Sequence, residues 1–158
     1  MLRARRRYAQ SLSSVSAPAG RFGGIDWVLS RGLCRFGRFD LANVPKAQRR
    51  QAVLLQIRQW SSYPRTDWLA VFDDNAASVW IWDKDKVDQS VEEARLNRRR
   101  VRVLPEALLH KEMAEGQRLV KSMDGFEGQV WRGGTLMHSR WWPALPDLPN
   151  LNALTTAL

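Results

Sequence analysis

The chain has 158 residues, 44% of them hydrophobic and 26% charged, with a net charge of +9. That length suits one domain, or one and part of another, and is enough to bury a real core. The lone cysteine, Cys34, excludes an intramolecular disulfide. No run of about 18 apolar residues is present to span a bilayer, and no apolar core follows the N-terminal arginines to make a secretory signal.

The charge is unevenly placed. Residues 1-60 hold 12 Lys/Arg against Asp26 and Asp40, a net of +10, whereas residues 61-158 carry a net of −1. The first 25 residues contain five arginines, four serines and no acid. That is the profile of a transit peptide or of a disordered basic leader, and residues 1-22 are read as such a leader. A basic arm can meet anionic lipid, nucleic acid or an acidic partner.

From Gly24 the stretch GIDWVLSRGLCRFGRFD reads as two short strands, with Ser30-Arg31-Gly32 as the turn between them. A helix follows over 44-60. Asn43 is its candidate N-cap, Pro45 falls in the tolerant first turn, and Ala47, Leu54, Ile57 and Trp60 recur at helical spacing. Ser61-Ser62-Tyr63-Pro64 stops it. Residues 67-72 and 77-82 form a hairpin around Asp73-Asp74-Asn75. Val79 and Ile81 share one face of the second strand and Trp80 and Trp82 the other, so this strand is expected to be covered on both sides.

Val87, Val91 and Ala94 define a second helix within 84-97, ended by the arginines 98-100. VRVL (101-104) is a strand closed by Pro105, and EALLHKEMAEG is one helical turn or a loop. Three further strands follow: QRLVKSM, QVWR after a DGFEG turn, and TLMHSRWW after Gly133-Gly134. The tail 143-158 holds three prolines and offers no partner strand, so the chain reads as cut off.

Candidate chemistry is sparse. Cys34 sits beside Leu33 and Phe36 and reads as a small buried hydrophobe rather than a nucleophile. His138 stands on a strand, on one face with Leu136 and Arg140, without a ligand at metal spacing. It reads as a structural or surface histidine. Asp73, Asp74, Asp83 and Asp85 could be drawn together as a magnesium site, but turn and N-cap roles explain all four. The glycines of GFEGQVWRGG match no phosphate-binding pattern, so neither a cofactor nor a metal is expected. Lys46, Arg49, Arg50 and Arg58 give the first helix a basic side, read first as a solvated face and otherwise as a nucleic-acid surface.

Three pieces in order resemble a known family: VPKAQRRQAVLLQIRQW, then DWLAVFDDNAASVWIWDKDKVDQSVEEA, then VRVLPEALL followed by DGFEGQVWRGGTLMHSRWW. Over residues 40-142 the order is similar to the cytoplasmic region of type II secretion system protein L and type IV pilus assembly proteins M and N. The resemblance implies an α/β (α+β) fold: a partial actin-like (ribonuclease-H-like) domain with β-hairpins and two main helices. Residues 23-104 would be the first lobe and 105-142 the start of a second.

It also implies a non-enzymatic cytoplasmic scaffold, peripheral to the bacterial inner membrane. Such a scaffold docks a motor ATPase or a neighbouring assembly protein. The transmembrane helix and periplasmic domain of the L protein have no counterpart here. The M protein's ATP binding transfers no residues, because no matching phosphate loops are found. With docking as the mechanism, Arg49, Arg50 and Arg58 are the expected partner contacts. Anionic lipid or nucleic acid could meet the basic N-terminal segment, and a homodimer is also entertained. The alternative function is a nucleic-acid-associated protein binding through residues 1-58.

Overall fold

The computed structural model describes residues 5–19 and 23–156. Its first sheet is built around β3 (Ile25–Leu29), in which every residue is buried. β3 pairs in parallel with β1 (Arg6–Gln10) on one side and with β7 (Val101–Pro105) on the other. The two-residue β2 (Val15–Ser16) caps β1 in antiparallel fashion, giving the order β2-β1-β3-β7.

Part of the stretch read as a leader therefore belongs to the first sheet. Residues 6–10 contribute Tyr8, whose ring stacks on Trp27 with centroids 5.3 Å apart. They also contribute Gln10, whose Oε1 accepts from Trp27 Nε1 at 2.7 Å. Burial of Trp27 leaves its indole N–H in need of an acceptor, and Gln10 supplies it. Residues 1–4 and 20–22 of that stretch lie outside the described residues.

The second sheet has the order β4-β6-β5, all antiparallel, from β4 (Arg35–Asp40), β5 (Thr66–Phe72) and β6 (Ala76–Asp83). The expected β5–β6 hairpin is present, and β6 is buried from Ala76 to Trp82. Val79 and Ile81 pack with Leu41, Val53 and Ile57, while Trp80 and Trp82 join Trp27, Val87 and Val91 in the other core. Both faces are thus covered, as the two-sided apolar pattern requires.

β3 and β4 do not form a hairpin. A 3₁₀ turn over Arg31–Leu33, capped by Ser30, sends the chain from the first sheet to the second. The first helix also starts differently from expectation. A 3₁₀ turn at Lys46–Gln48 with Pro45 as its cap precedes α1 (Arg49–Trp60), and Asn43 caps neither. α2 (Lys84–Glu93) begins at Asp83, whose carboxylate accepts from the N–H groups of Asp85 and Lys86.

The third sheet is the antiparallel meander β8 (Gly116–Lys121), β9 (Phe126–Arg132) and β10 (Thr135–Trp142). Gly133 and Gly134 have φ of 56° and 76°, the turn geometry that two glycines supply without strain. A register shift between Leu136 and His138 breaks the simple alternation expected for β10. Leu136 and Ser139 are the buried residues there, not Leu136, His138 and Arg140 together. One extra residue is enough to exchange the faces.

The tail also contains structure. α3 (Leu148–Thr156) lays Leu154 against Gly128 of β9, where a Cβ would overlap Leu154 and Trp142. No described helix is long and apolar enough to cross a membrane.

Candidate partner-docking face

α1 lies on the central sheet with Val53 and Ile57 buried beneath it. Its three candidate arginines do not share one face. At 3.6 residues per turn, nine positions bring Arg58 about half a turn away from Arg49. Arg49 bends back to the fold, its Nε donating to the Val44 carbonyl at 3.1 Å and its Nη1 to the Asp73 carbonyl at 3.3 Å. Its charge helps hold the helix start to the β5–β6 turn.

Arg50 and Arg58 are exposed and stay on the outer side. The Arg50 guanidinium lies 4.6 Å from the centroid of Trp68 on β5, a cation–π contact. Arg58 rims a groove of about 370 Å³ between α1 and β5, with Leu54, Tyr63, Pro64 and Trp68 in its walls. Leu55 adds an exposed apolar side chain to the helix at 51% exposure. The face therefore pairs two exposed positive charges with aromatic and aliphatic surface. Arginine and aromatic residues are the types enriched where proteins meet. The sequence reading named Arg50 and Arg58 but missed Trp68 and Tyr63, which come from β5 and the loop before it.

The other candidates take structural places. Cys34 is buried, and burial pushes its thiol up to about 12, with Arg31 opposing and Glu127 and Glu106 adding to the rise. It is a thiol, not a thiolate, at neutral pH. His138 is half-buried. Burial first, then Arg140 and Arg31, hold its pKa below the ordinary imidazole value.

Asp73 pairs with Arg38 and accepts from the N–H groups of Asn75 and Ala76. Burial alone would raise its carboxyl, but the Arg38 bond and those two N–H groups hold it below the usual range. Asp74 is exposed, Asp83 caps α2, and Asp85 meets Arg65 at 2.7 Å. Among the described residues, no group of three or more His, Cys, Asp or Glu is placed to hold a metal.

A buried charge network went unread in the sequence. Arg31 is 4% exposed and Glu127 fully buried. Arg31 Nε donates to Glu127 Oε1 at 3.1 Å and to Ser139 Oγ at 2.9 Å, while Nη1 donates to the Cys34 carbonyl at 2.6 Å. Ser139 Oγ donates in turn to Glu127. Glu127 Oε2 accepts from Gln129 Nε2 at 2.9 Å, and Gln129 Oε1 accepts from Trp131 Nε1 at 3.0 Å. Glu106 adds a second tie, accepting from the backbone N–H groups of Arg31 and Met123. The turn after β3 is thereby bound to the third sheet. In the sequence both looked like turn residues, Arg31 in Ser30-Arg31-Gly32 and Glu127 in the DGFEG turn, whereas β9 already begins at Phe126.

A smaller pocket of about 160 Å³ opens between the central sheet and the third sheet, lined in part by Phe72, Trp80, Leu108, His110 and Trp131.

No family model matches this chain, and no curated protein matches it by sequence. Solved structures do. The chain is similar to the cytoplasmic domain of EpsL, an inner-membrane component of the type II secretion system of Vibrio cholerae. That match has a TM-score of 0.59 and 10% identity, over 87% of this chain and 70% of that one. It is also similar to a Bacteroides thetaiotaomicron protein with an actin-like ATPase fold and unknown function. Here the TM-score is 0.56 at 9% identity, over 97% of this chain and 75% of that one. The mixed α/β, actin-like fold implied by the sequence resemblance is the fold of this chain, and its structural likeness reaches the cytoplasmic domain of a secretion-system L protein.

Proposed function

We propose that this chain is a non-enzymatic cytoplasmic scaffold of a bacterial type II secretion or type IV pilus assembly platform, held at the periphery of the inner membrane. Its α1–β5 face docks an acidic, partly apolar segment of a motor ATPase or a neighbouring assembly protein. The observation that carries the reading is the groove lined by Arg58, Tyr63 and Trp68, with exposed Arg50 lying over the same Trp68 ring. The likeness to the EpsL cytoplasmic domain supports the choice of machine. Arg49, spent on two backbone carbonyls, supports the face from behind rather than touching the partner.

The nucleic-acid alternative loses part of its basis. Arg5, Arg31 and Arg38 pair with acids inside the protein, and Arg35 lies over Trp60 at 4.9 Å. The positive count of residues 1-60 is therefore only partly available to phosphates.

The test is a pull-down from membrane-containing lysate at low and moderate salt, with wild type and an Arg50→Glu/Arg58→Glu variant, read by mass spectrometry and nucleic-acid staining. Recovery of a secretion or pilus ATPase, or an inner-membrane assembly protein, at both salts and its loss in the variant is the expected result. Nucleic acid that disappears over ~50 to 200 mM salt would move the assignment to the alternative.

A further inference from the structure

β5 is an edge strand, and among the described residues only Asp67 guards its edge, accepting from the Trp68 N–H. Among the described strands, β5 pairs only with β6. Exposed edges in natural sheets are usually blunted by lysine, proline, bulges or shortness. The other edges here show such devices. β8 carries Arg118 and Lys121, β7 carries Arg102 and ends in Pro105, β4 carries Arg35 and Arg38, β10 has its register shift, and β2 has two residues. The β5 sequence, TDWLAVF, has no Lys, Arg or Pro, and its register with β6 runs unbroken over seven pairs. Its single charge, Asp67, is held by Arg98 at 3.0 Å. Val71 and Phe72 stand exposed at its end.

The direction of its amides follows from the bonds at both ends of the hairpin. Lys84 N–H donates to the Arg65 carbonyl, and Asp73 N–H to the Ala76 carbonyl. Antiparallel pairs alternate between bonded and non-bonded positions. Residues 65, 67, 69, 71 and 73 therefore face β6, and the N–H and C=O groups of Thr66, Trp68, Ala70 and Phe72 face outward. Trp68 N–H is meanwhile held only by the neighbouring Asp67 carboxylate, at 3.0 Å.

We propose that β5 pairs with β5 of a second copy of this chain, antiparallel about a two-fold axis at Leu69, making one continuous six-stranded sheet. A two-fold pairing requires the strand to complement itself, and this register does so except where Val71 comes opposite Asp67. Outward-facing Trp68 meets outward-facing Ala70, a large residue against a small one, and Thr66 meets Phe72. Leu69 meets its own copy. At each end, Arg65 of one copy comes opposite Asp73 of the other, each already paired within its own copy, with Asp85 and Arg38 respectively, so no like charges stand directly opposite. A pairing of this size belongs with the small, reversible interfaces. The inference shares Trp68 with the α1 docking reading but needs neither Arg50 nor Arg58.

The experiment is sedimentation velocity on the full chain from low to high micromolar concentration at moderate salt, with cysteine trapping alongside. Wild type is expected to dimerise with rising concentration, and Phe72→Lys to weaken that dimer at least tenfold. Leu69→Cys should be trapped as a disulfide dimer under mild oxidation, whereas Val71→Cys, set opposite Asp67, should not. Buried Cys34 stays out of the exchange. Wild type that remains monomeric throughout, with no trapped Leu69→Cys dimer, overturns the proposal and leaves the edge to a strand of another protein. A dimer indifferent to Phe72→Lys, or trapped equally through Val71→Cys, overturns it as well.

Discussion

Arginine is used in two opposite ways in this molecule, and the contrast separates what holds it together from what it presents. Arg31 is sealed between the turn after β3 and the third sheet, with Glu127, Ser139 and the Cys34 carbonyl taking up its guanidinium. Arg50 and Arg58 carry the same charge on the outside of α1, one resting on Trp68 and the other at a groove rim. Burying an ion costs several kcal/mol, recovered only when every donor finds an acceptor. Arg31 meets that condition and is thereby immobilised. The exposed pair, little constrained by the fold, keeps its donors for something else. Net charge alone could not make this distinction.

The sharpest way to break the comparison is at Glu127. Replacing it with Ala leaves the Arg31 guanidinium buried without its carboxylate, and urea unfolding should show a loss of about 3–5 kcal/mol. An Arg31→Met/Glu127→Leu pair should recover much of that loss, because apolar residues of similar volume remove the orphaned charge.

A second test concerns Asp26, buried on β3 between Arg102 at 2.9 Å and Arg5 at 2.6 Å. Burial would raise its carboxyl, but the Arg102 and Arg5 bonds outweigh burial and hold it below the usual aspartate range. A depressed folded-state pKa means stability that is present above the unfolded value and lost as pH falls through the folded one. Stability should therefore decline below about pH 4. Asp26→Asn should be less stable at pH 7 and show a flatter acid limb, as measured by thermal melts against pH.

Smaller still is the effect at Arg49. Losing its two carbonyl contacts in Arg49→Ala should cost about 1 kcal/mol, visible as a modest drop in the urea midpoint. Last come Arg50→Glu and Arg58→Glu, which should change stability by no more than about 0.5 kcal/mol. Their docking loss should appear in the pull-down. A large stability loss from either would place these side chains in the frame instead of on the face.

How far the sequence could be read depended on how local the determinants were. The β5–β6 hairpin was legible because alternation and an Asp-Asp-Asn turn lie within 16 consecutive residues, 67–82. α1 and α2 were legible from apolar spacing, although the prolyl 3₁₀ entry displaced the cap expected at Asn43. β1 was not, since RRYAQ has no strand-like core pattern and is ordered by pairing with β3. The face proposed for docking was half legible. The arginines show in the helix, but Trp68 arrives from another element, and angular spacing alone would have separated Arg49 from Arg58. The Arg31–Glu127 network spans 96 positions and leaves no local trace.

The parallel first sheet has a consequence for how the chain is made. β3 finds β1 nearby, but its other neighbour is β7, where Val101 pairs with Ile25. While the ribosome delivers everything between them, the apolar edge of β3 stands open for seconds at ordinary elongation rates. Closing so long a loop is also entropically slow. The nascent N-terminal half therefore passes through a sticky interval that ends only when β7 emerges, and a chaperone is most useful to this protein during that interval.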